Sequence, residues 1–383
     1  MDVVKKLRDE GKWGEAARTL AELLPSFEAS YEWTRIAFFV GDMAAGQFHI
    51  TVNELAHKQA DRGLTARNAT YYCAKLAAEE AVPLAAKGAK PKFVSLNPTL
   101  AATAQPGGGW LCILRTVNFR QRGAVHYEAD PEFGGLLLTT NYLLRLDAAL
   151  RVVAEAEIQD PAQVVSEVRH CGQGMEDMRV YVAGAEIHAV FTLVNCRDRH
   201  PEARAIGHVK LTEGGKTSEI EELPSPLGAR CEKNWLPFEF RGARAFLYSY
   251  DPVTVLDHRG RVILQRHCPF NCSGFRGSAG PVPYEDGFLV VVHSCGFFDE
   301  GRVYYHRFVR YDADFGFVDV SAPFIFDHRG VEFCSGMTPH ERGFLLGVGI
   351  EDREARLLVV SREEIARLWL NFPARLDRYL LGE

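Results

Sequence analysis

The sequence predicts a mainly β fold preceded by an α-helical region. Three observations support this: apolar residues of the first ninety positions recur at helical spacing, residues beyond Lys90-Pro91 form short apolar runs separated by Gly, Pro, Asp and Asn, and one such run recurs five times. We therefore place a helical region at residues 1–90 and a β domain, ending in a helix, at residues 91–383.

The helical region is best defined near its start. Trp13, Ala17 and Leu20 follow one another at steps of four and three residues, so they share one helix face. This stretch resembles one tetratricopeptide helix pair, but no repeat of about 34 residues follows, which favours a helical cap packed on the β domain. Further helices are predicted at Tyr31–Val40, His49–Arg62 and Ala66–Ala85.

The recurring unit of the β domain is a glycine turn followed by large apolar residues that end at a polar side chain. Its glycines are Gly109, Gly184, Gly242, Gly287 and Gly343. They lie 75, 58, 45 and 56 residues apart, near the ~40–50-residue repeat of β-propeller blades with insertions in loops. Five units predict a five-bladed β-propeller over about 93–360; a β-sandwich is the alternative. A capping box at Ser361 and Glu364 predicts a final helix, Arg362–Leu370.

Composition argues against several classes of function. The chain has 44 Lys and Arg against 50 Asp and Glu, a formal charge of −6, whereas general nucleic-acid or membrane-surface binders carry a basic excess. Its longest apolar runs, such as Phe344–Ile350, are far shorter than the ~20 residues that span a bilayer. A charged start without a secretory signal, and nine scattered cysteines, predict a cytoplasmic protein.

Motifs for metals and nucleotides are weak. Cys268 and Cys272 form a Cys-x₃-Cys pattern without a second matching pair, which buried single thiols explain better than zinc. The sequence has neither a Gly-x-x-x-x-Gly-Lys-Ser/Thr phosphate loop nor a Gly-x-Ser-x-Gly elbow. We therefore predict no metal and no bound cofactor.

Polar side chains cluster shortly before each of the five apolar runs. The segments are Leu96–Pro98, Gly174–Arg179, Cys231–Trp235, Phe275–Pro281 and Val331–Gly336. The first strand of each propeller blade lines the central channel, so similar offsets place these segments around one axis. Their mixture of Asp, Glu, Lys, Arg and Asn is typical of a pocket for a polar ligand. The alternative is a set of buried ion pairs that close the blades.

Four segments resemble motifs of glycoside hydrolase family 130, the inverting β-mannoside phosphorylases and hydrolases. Glu-Asp-Met-Arg at Glu176–Arg179 resembles the family's Glu-Asp-Pro-Arg signature, and Lys233–Trp235 resembles its Lys-Asn-Trp segment. Gly280–Pro283 resembles its Gly-x-Pro-Pro loop, and Gly349–Asp352 its Gly-Ala-Ala-Asp strand end. The matches follow the family's order, and the resemblance implies a five-bladed propeller.

The resemblance also implies roles. Asp177 matches the Asp that acts as the acid through a sugar hydroxyl while phosphate attacks the anomeric carbon, so it is the predicted catalytic residue. The predicted substrate-binding residues are Asn97, Arg115, Glu176, Lys233, Asn234 and Asp352. The predicted phosphate-binding residues are Arg179, Arg276 and His293. Arg276 is chosen on chemistry alone, because Arg suits bidentate phosphate contact. Met178 and Val282 stand where the family has proline, which leaves the substrate open.

The predicted function is an inverting carbohydrate-active enzyme that performs phosphorolysis or glycosyl transfer on a β-mannoside-like substrate, with phosphate or a sugar nucleotide as co-substrate. One alternative is a sugar-nucleotide-dependent glycosyltransferase, because Arg115–Asn118 and Glu332–Gly336 resemble propeller modules attached to bacterial glycosyltransferases. Another is a non-catalytic glycan-binding propeller in which Asp177 is structural. We predict a carbohydrate partner and no nucleic acid or membrane span, whereas the sugar, its linkage and the oligomeric state do not follow from the sequence.

Overall fold

The protein is a five-bladed β-propeller, as predicted. A computed structural model describes Val3, Lys6 and residues 74–371, except 104–108, 123–125, 161–173, 195–203, 230, 269–271, 273 and 299–300. Within these residues, four sheets have four strands and a fifth has six. The first strands of the five sheets pack side by side in a closed ring. They are therefore the inner strands, and each sheet is one blade.

The strands of each blade follow one another along the chain from the inside outwards, with the two exceptions described below. Blade 1 contains β3 (Val94–Ala102), β4 (Trp110–Val117), β7 (Thr139–Leu146) and β8 (Val152–Glu157), with an inserted hairpin of β5 (Phe119–Arg122) and β6 (His126–Ala129). Blade 2 contains β9 (Glu176–Ala183), β10 (Glu186–Val194), β11 (Arg204–Leu211) and β12 (Glu221–Leu223). Blade 3 contains β13 (Leu236–Phe240), β14 (Ala243–Tyr250), β15 (Val253–Asp257) and β16 (Val262–Arg266). Blade 4 contains β17 (Arg276–Tyr284), β18 (Gly287–Phe298), β19 (Gly301–Asp312), β20 (Phe317–Val320) and β21 (Phe324–Ile325), and blade 5 contains β22 (Glu332–His340), β23 (Gly343–Ile350) and β24 (Glu354–Val360).

Two strands from the start of the described chain complete blades 4 and 5. β1 (Ala74–Lys75) pairs in parallel with β21, and β2 (Glu80–Leu84) pairs antiparallel with β24. The second pairing closes the ring, because blade 5 now contains strands from both ends of the propeller. It also brings residues upstream of Lys90 into the sheets.

The helix predicted over Ala66–Ala85 is wrong for its described part, residues 74–85. Val82 and Leu84 in β2 are less exposed than Ala81 and Pro83, which is the two-residue period of a strand. The other predicted N-terminal helices lie outside the described residues, apart from Val3 and Lys6, which are helical. The cap that we predicted for residues 1–90 therefore stays a prediction.

The C-terminal helix is confirmed. It is α1 (Arg362–Leu368), two residues shorter at its end than predicted, and Ser361 Oγ accepts a hydrogen bond from the Glu364 amide at 3.2 Å. Ile365 and Leu368 on its inner face are buried. Among the residues that the structure describes, no helix is long and apolar enough to cross a membrane.

Apolar side chains between neighbouring blades hold the ring together. Between blades 3 and 4, Phe288 stacks on Phe315 with ring centroids 4.8 Å apart, and Phe238 meets both rings edge-on. Burying one such side chain contributes roughly 1.5–3 kcal/mol. The packed blades form a rigid scaffold for the beginnings of the inner strands.

We call the end of the propeller at which the inner strands begin the upper end. Because strands alternate in direction within a blade, the connections β4–β5, β18–β19 and β23–β24 also lie at this end. The inserted β5–β6 hairpin and the long β18–β19 hairpin therefore rise beside the axis at the same end as the polar segments.

Candidate functional site

Three inner strands have an unusual backbone where they begin. Asn97, Asp177 and Asn234 have φ angles of 47°, 51° and 61°, in the left-handed region that Asn and Asp tolerate better than most residues. The pairing register of β3 with β4 shifts between Leu96 and Thr99, next to Asn97. A second register shift, between β9 and β10, lies beside Asp177. Such bulges redirect a side chain, and here they do so in blades 1 and 2.

Asp177 joins blade 2 to blade 1. Its Oδ1 accepts a hydrogen bond from Arg115 Nη1 at 2.6 Å and another from Asn97 Nδ2 at 3.2 Å. The same guanidinium donates to Thr139 Oγ1, which fixes its orientation. Among the described residues no hydrogen bond reaches Asp177 Oδ2, and the side chain is 20% exposed. One carboxylate oxygen is thus held and the other is open to a ligand.

Glu176 joins blade 2 to blade 3. Its Oε1 accepts from Lys233 Nζ at 3.0 Å. Burial alone would raise the pKa of Glu176, but the charges of Lys233 and Arg115 outweigh burial and hold this pKa well below its ordinary value. Lys233 in turn has a raised pKa, chiefly because Glu176 lies beside it. Both groups are therefore charged at neutral pH.

Asp352 comes from blade 5, in the turn between β23 and β24. β23 lies close to blade 1: an added Cβ would be 1.9 Å from the Pro98 carbonyl oxygen at Gly347 and 2.2 Å from Asn97 Oδ1 at Gly349. Asp352 is half-buried and within electrostatic reach of Arg115 and Asp177. Burial raises the pKa of Asp352 to about 6, against the opposing effect of Arg115.

Arg179 ties the inner strands together at the axis. It is 5% exposed, and its guanidinium donates to the backbone carbonyl groups of Ser278, Ser335 at 3.2 Å and Gly277 at 3.4 Å. It also donates to Asn234 Oδ1 at 3.4 Å. These bonds connect blade 2 to blades 3, 4 and 5, so the guanidinium faces protein oxygens rather than the open upper end.

The other two predicted phosphate-binding residues differ from each other. His293 is 3% exposed and its Nδ1 lies 2.8 Å from Ser278 Oγ. Burial, followed by the neighbouring His306 and the charges of Arg276 and Arg179, lowers its pKa well below the ordinary value, so the ring is neutral. Arg276 lies opposite His293 in the β17–β18 pairing and is exposed. Among the described residues it has no hydrogen bond or ion pair, so Arg276 presents its charge to solvent.

All ten predicted site residues lie at the upper end. The contacts above join Asn97, Arg115, Glu176, Asp177, Lys233 and Asn234 across blades 1 to 3, while Arg179 reaches blades 4 and 5. Ser335 Oγ completes the circle with a bond to the Pro98 carbonyl oxygen at 3.0 Å. The structure therefore brings the five polar segments around one axis.

Sequence reasoning missed the residues of the inserted hairpins. Tyr127 on β6 hydrogen-bonds Arg302 on β19, which also donates to Tyr304 Oη at 3.3 Å. Tyr127 is 37% exposed and lies within electrostatic reach of Asp352. The length of the β18–β19 hairpin could have indicated these residues, since each of its strands has 12 residues and extends beyond the blade.

A large groove lies away from these residues. It has a volume of about 650 Å³, lies between blades 1 and 2 at the opposite end, and has Leu111 and Ile187 in its wall. Four of its charged groups already pair with one another, Arg145 with Glu213 and Lys210 with Glu186. The upper end is the better candidate site because it presents charged groups with open atoms.

Comparison with known proteins agrees with the architecture. No family model matches the sequence, and no curated protein matches it. A mannose phosphorylase of Leishmania mexicana, solved with a phosphate ion, aligns with a TM-score of 0.50 at 12% identity, covering 81% of this chain and 94% of the phosphorylase. A β-1,2-mannobiose phosphorylase of Listeria innocua aligns with a TM-score of 0.49 at 17% identity, covering 75% and 96%. The Leishmania mexicana phosphorylase shares the fold of this chain. The five-bladed propeller that the motif resemblance implies is confirmed by the sheets of the structure itself.

Proposed function

We propose that the protein is an inverting carbohydrate-active enzyme that breaks or forms a glycosidic bond of a β-mannoside-like sugar, with Asp177 as its catalytic carboxyl group. The observation that carries this proposal is the cluster of Glu176, Asp177 and Asp352 beside Arg115 and Lys233 at one end of the axis. Carboxyl groups supply the proton transfers of glycosidic chemistry. The motif resemblance to glycoside hydrolase family 130 and the shared fold support the same class.

Each member of the cluster has a role in this proposal. Asp177 Oδ2, the open oxygen, contacts a sugar hydroxyl and passes a proton through it to the glycosidic oxygen. Arg115 and Asn97 hold Oδ1 and so fix the direction of the carboxyl group. Glu176 and Lys233 offer an acceptor and a donor to neighbouring hydroxyls, and the Asn97 and Asn234 amides add further polar contacts from blades 1 and 3.

The leading reaction is phosphorolysis. Inorganic phosphate then attacks the anomeric carbon, and the site must hold its negative charge. Arg276 is the best-placed cation for this, since it is exposed and without a partner among the described residues. Arg179 and His293 are less available to the phosphate, because their polar atoms already hydrogen-bond protein groups.

Screening of glycosyl donors tests the proposal. Sugar 1-phosphates and sugar nucleotides are offered with a panel of sugar acceptors, and the release of phosphate or nucleotide is measured. We expect phosphate release from a mannose-type 1-phosphate, and phosphate-dependent cleavage of the product in the reverse direction. If the protein uses sugar nucleotides but not sugar 1-phosphates as donors, phosphorolysis is wrong and the glycosyltransferase alternative is favoured. Glycan binding without any turnover would contradict an enzyme and favour the binding module.

A further inference from the structure

We propose that Thr139 is a positioning residue for the catalytic carboxyl group: its hydroxyl orients Arg115, and through Arg115 it sets the direction of Asp177. The inference rests on the proposed function and deepens it. Thr139 is the first residue of β7, the third strand of blade 1, and belongs to none of the segments that resemble family motifs. It is 6% exposed, so it acts on a ligand only through other side chains.

Thr139 holds one edge of the Arg115 guanidinium and leaves Nη1 for Asp177. The Oγ1 atom of Thr139 accepts a hydrogen bond from Nε at 3.4 Å and another from Nη2 at 3.2 Å. Nη1 donates to Asp177 Oδ1 at 2.6 Å. The guanidinium is planar and rigid, so fixing Nε and Nη2 also fixes the direction in which Nη1 points.

The sheet of blade 1 places the hydroxyl at this edge. In the antiparallel pairing of β4 with β7, Arg115 lies opposite Asn141, and Thr139 lies two residues before Asn141. Side chains two residues apart share one face of a sheet, and diagonal neighbours on paired strands are within reach of a long side chain. Arg115 therefore meets the Thr139 hydroxyl on the face from which it also reaches blade 2.

The same strand holds the backbone that leads to Asp177. Asn141 Nδ2 donates to the Met175 carbonyl oxygen at 2.9 Å, two residues before Asp177. One residue earlier, Gly174 has a φ of 98°, and an added Cβ would lie 2.6 Å from the Thr139 carbonyl oxygen. β7 thus fixes both the backbone before Asp177 and the arginine that binds its carboxylate.

T139V tests this role, because valine keeps the branched shape of threonine and removes the hydroxyl. The guanidinium edge that loses its acceptor is buried and must find another one, so Nη1 should turn away from Asp177. The kcat for the donor found by screening should fall by about tenfold, since a small misplacement of a catalytic group lowers the rate, with little change in KM for the donor. T139S, which restores the hydroxyl, should restore most of the kcat. If T139V does not fold, T139A makes the same test, because it also lacks the hydroxyl.

T116V is the matched control. Thr116 is also a buried threonine of blade 1, but its Oγ1 donates to the Thr140 carbonyl oxygen at 3.0 Å and not to a site residue. T116V should keep the wild-type kcat even where its melting temperature falls. A kcat lowered equally in T139V and T116V would show a general effect on blade 1 and would overturn the positioning role.

The same substitution in the D177N background gives a readout that a merely structural role would not move. Because Thr139 acts through Asp177, T139V should lower the remaining kcat of D177N no further. An unchanged kcat in T139V alone, or an equal loss in both backgrounds, would overturn the positioning role while the proposed function stands. A wild type without turnover, or an unchanged kcat in D177N, would instead contradict the proposed function, so the two failures are distinguishable.

Discussion

Asp177 and Arg179 are two residues apart on one inner strand, yet they belong to two different regions. The carboxylate cluster, Glu176, Asp177 and Asp352, lies at the upper end and keeps atoms open to a ligand. The axial cluster, Arg179, Ser278 and His293, lies deeper and directs its polar atoms at other protein groups. Asp177 and Arg179 nevertheless belong to one segment that resembles a single family signature.

This difference shows that a polar residue in a motif either offers its atoms to a ligand or bonds other parts of the protein. A bulge with positive φ turns Asp177 out of the regular strand, whereas Arg179 stays in register with Val190 and points into the ring. Burial then decides the outcome, because a buried guanidinium must find acceptors within the protein. The two tasks predict different responses to mutation.

Arg179→Met should give the largest loss of stability. It removes donors from three buried carbonyl groups, and each unsatisfied group costs about 1–3 kcal/mol, so we expect a loss of roughly 3 kcal/mol or more in the free energy of unfolding. Denaturant unfolding measures this loss. Arg241→Met, which removes an exposed arginine paired with Asp314, is the control and should change little. An Arg179→Met protein as stable as the control would contradict the structural task.

Asp352→Asn should instead stabilise the protein, and only at higher pH. The folded-state pKa of Asp352, about 6, lies above its ordinary value of 3.8, so folding favours the protonated form and ionisation lowers stability as the pH rises from about 4 to 6. Removing the charge should add roughly 1–3 kcal/mol at pH 7.5 and nearly nothing at pH 4. Thermal melts at both pH values measure this, and an equal change at both would contradict the raised pKa.

Arg276→Gln should have a smaller effect, confined to the binding of phosphate. Losing one cation from an anion site should raise KM for phosphate by about tenfold, or ~1.4 kcal/mol, with little change in melting temperature. Arg259→Gln, which removes the same charge from the opposite end of blade 3, is the control. Equal KM values for the two variants would remove Arg276 from the phosphate site.

The blades and the axial arrangement of the polar segments were predictable because both depend on repetition. The strand at Glu80–Leu84 was not, since its Ala-rich surroundings favour a helix locally and only pairing with β24 makes it a strand. The burial of Arg179 and His293 was not predictable either, because a sequence motif does not show which side chains point into the ring and which point to the open end. Tyr127 was missed because it lies in the inserted β5–β6 hairpin, and Arg302 because it lies at the extended start of β19, outside the repeated pattern.

Asp177→Asn, measured by turnover and by thermal melting, tests the central claim most directly. The substitution keeps the size of the side chain and an oxygen for Arg115, whose charge still faces Glu176 and Asp352, so the fold should survive. Turnover of the donor found by screening should fall by about 10²–10⁴-fold, while Asp286→Asn, an exposed acidic residue at the opposite end, should leave turnover unchanged. A well-folded Asp177→Asn protein with near-native turnover would contradict the assignment of Asp177 as the catalytic carboxyl group.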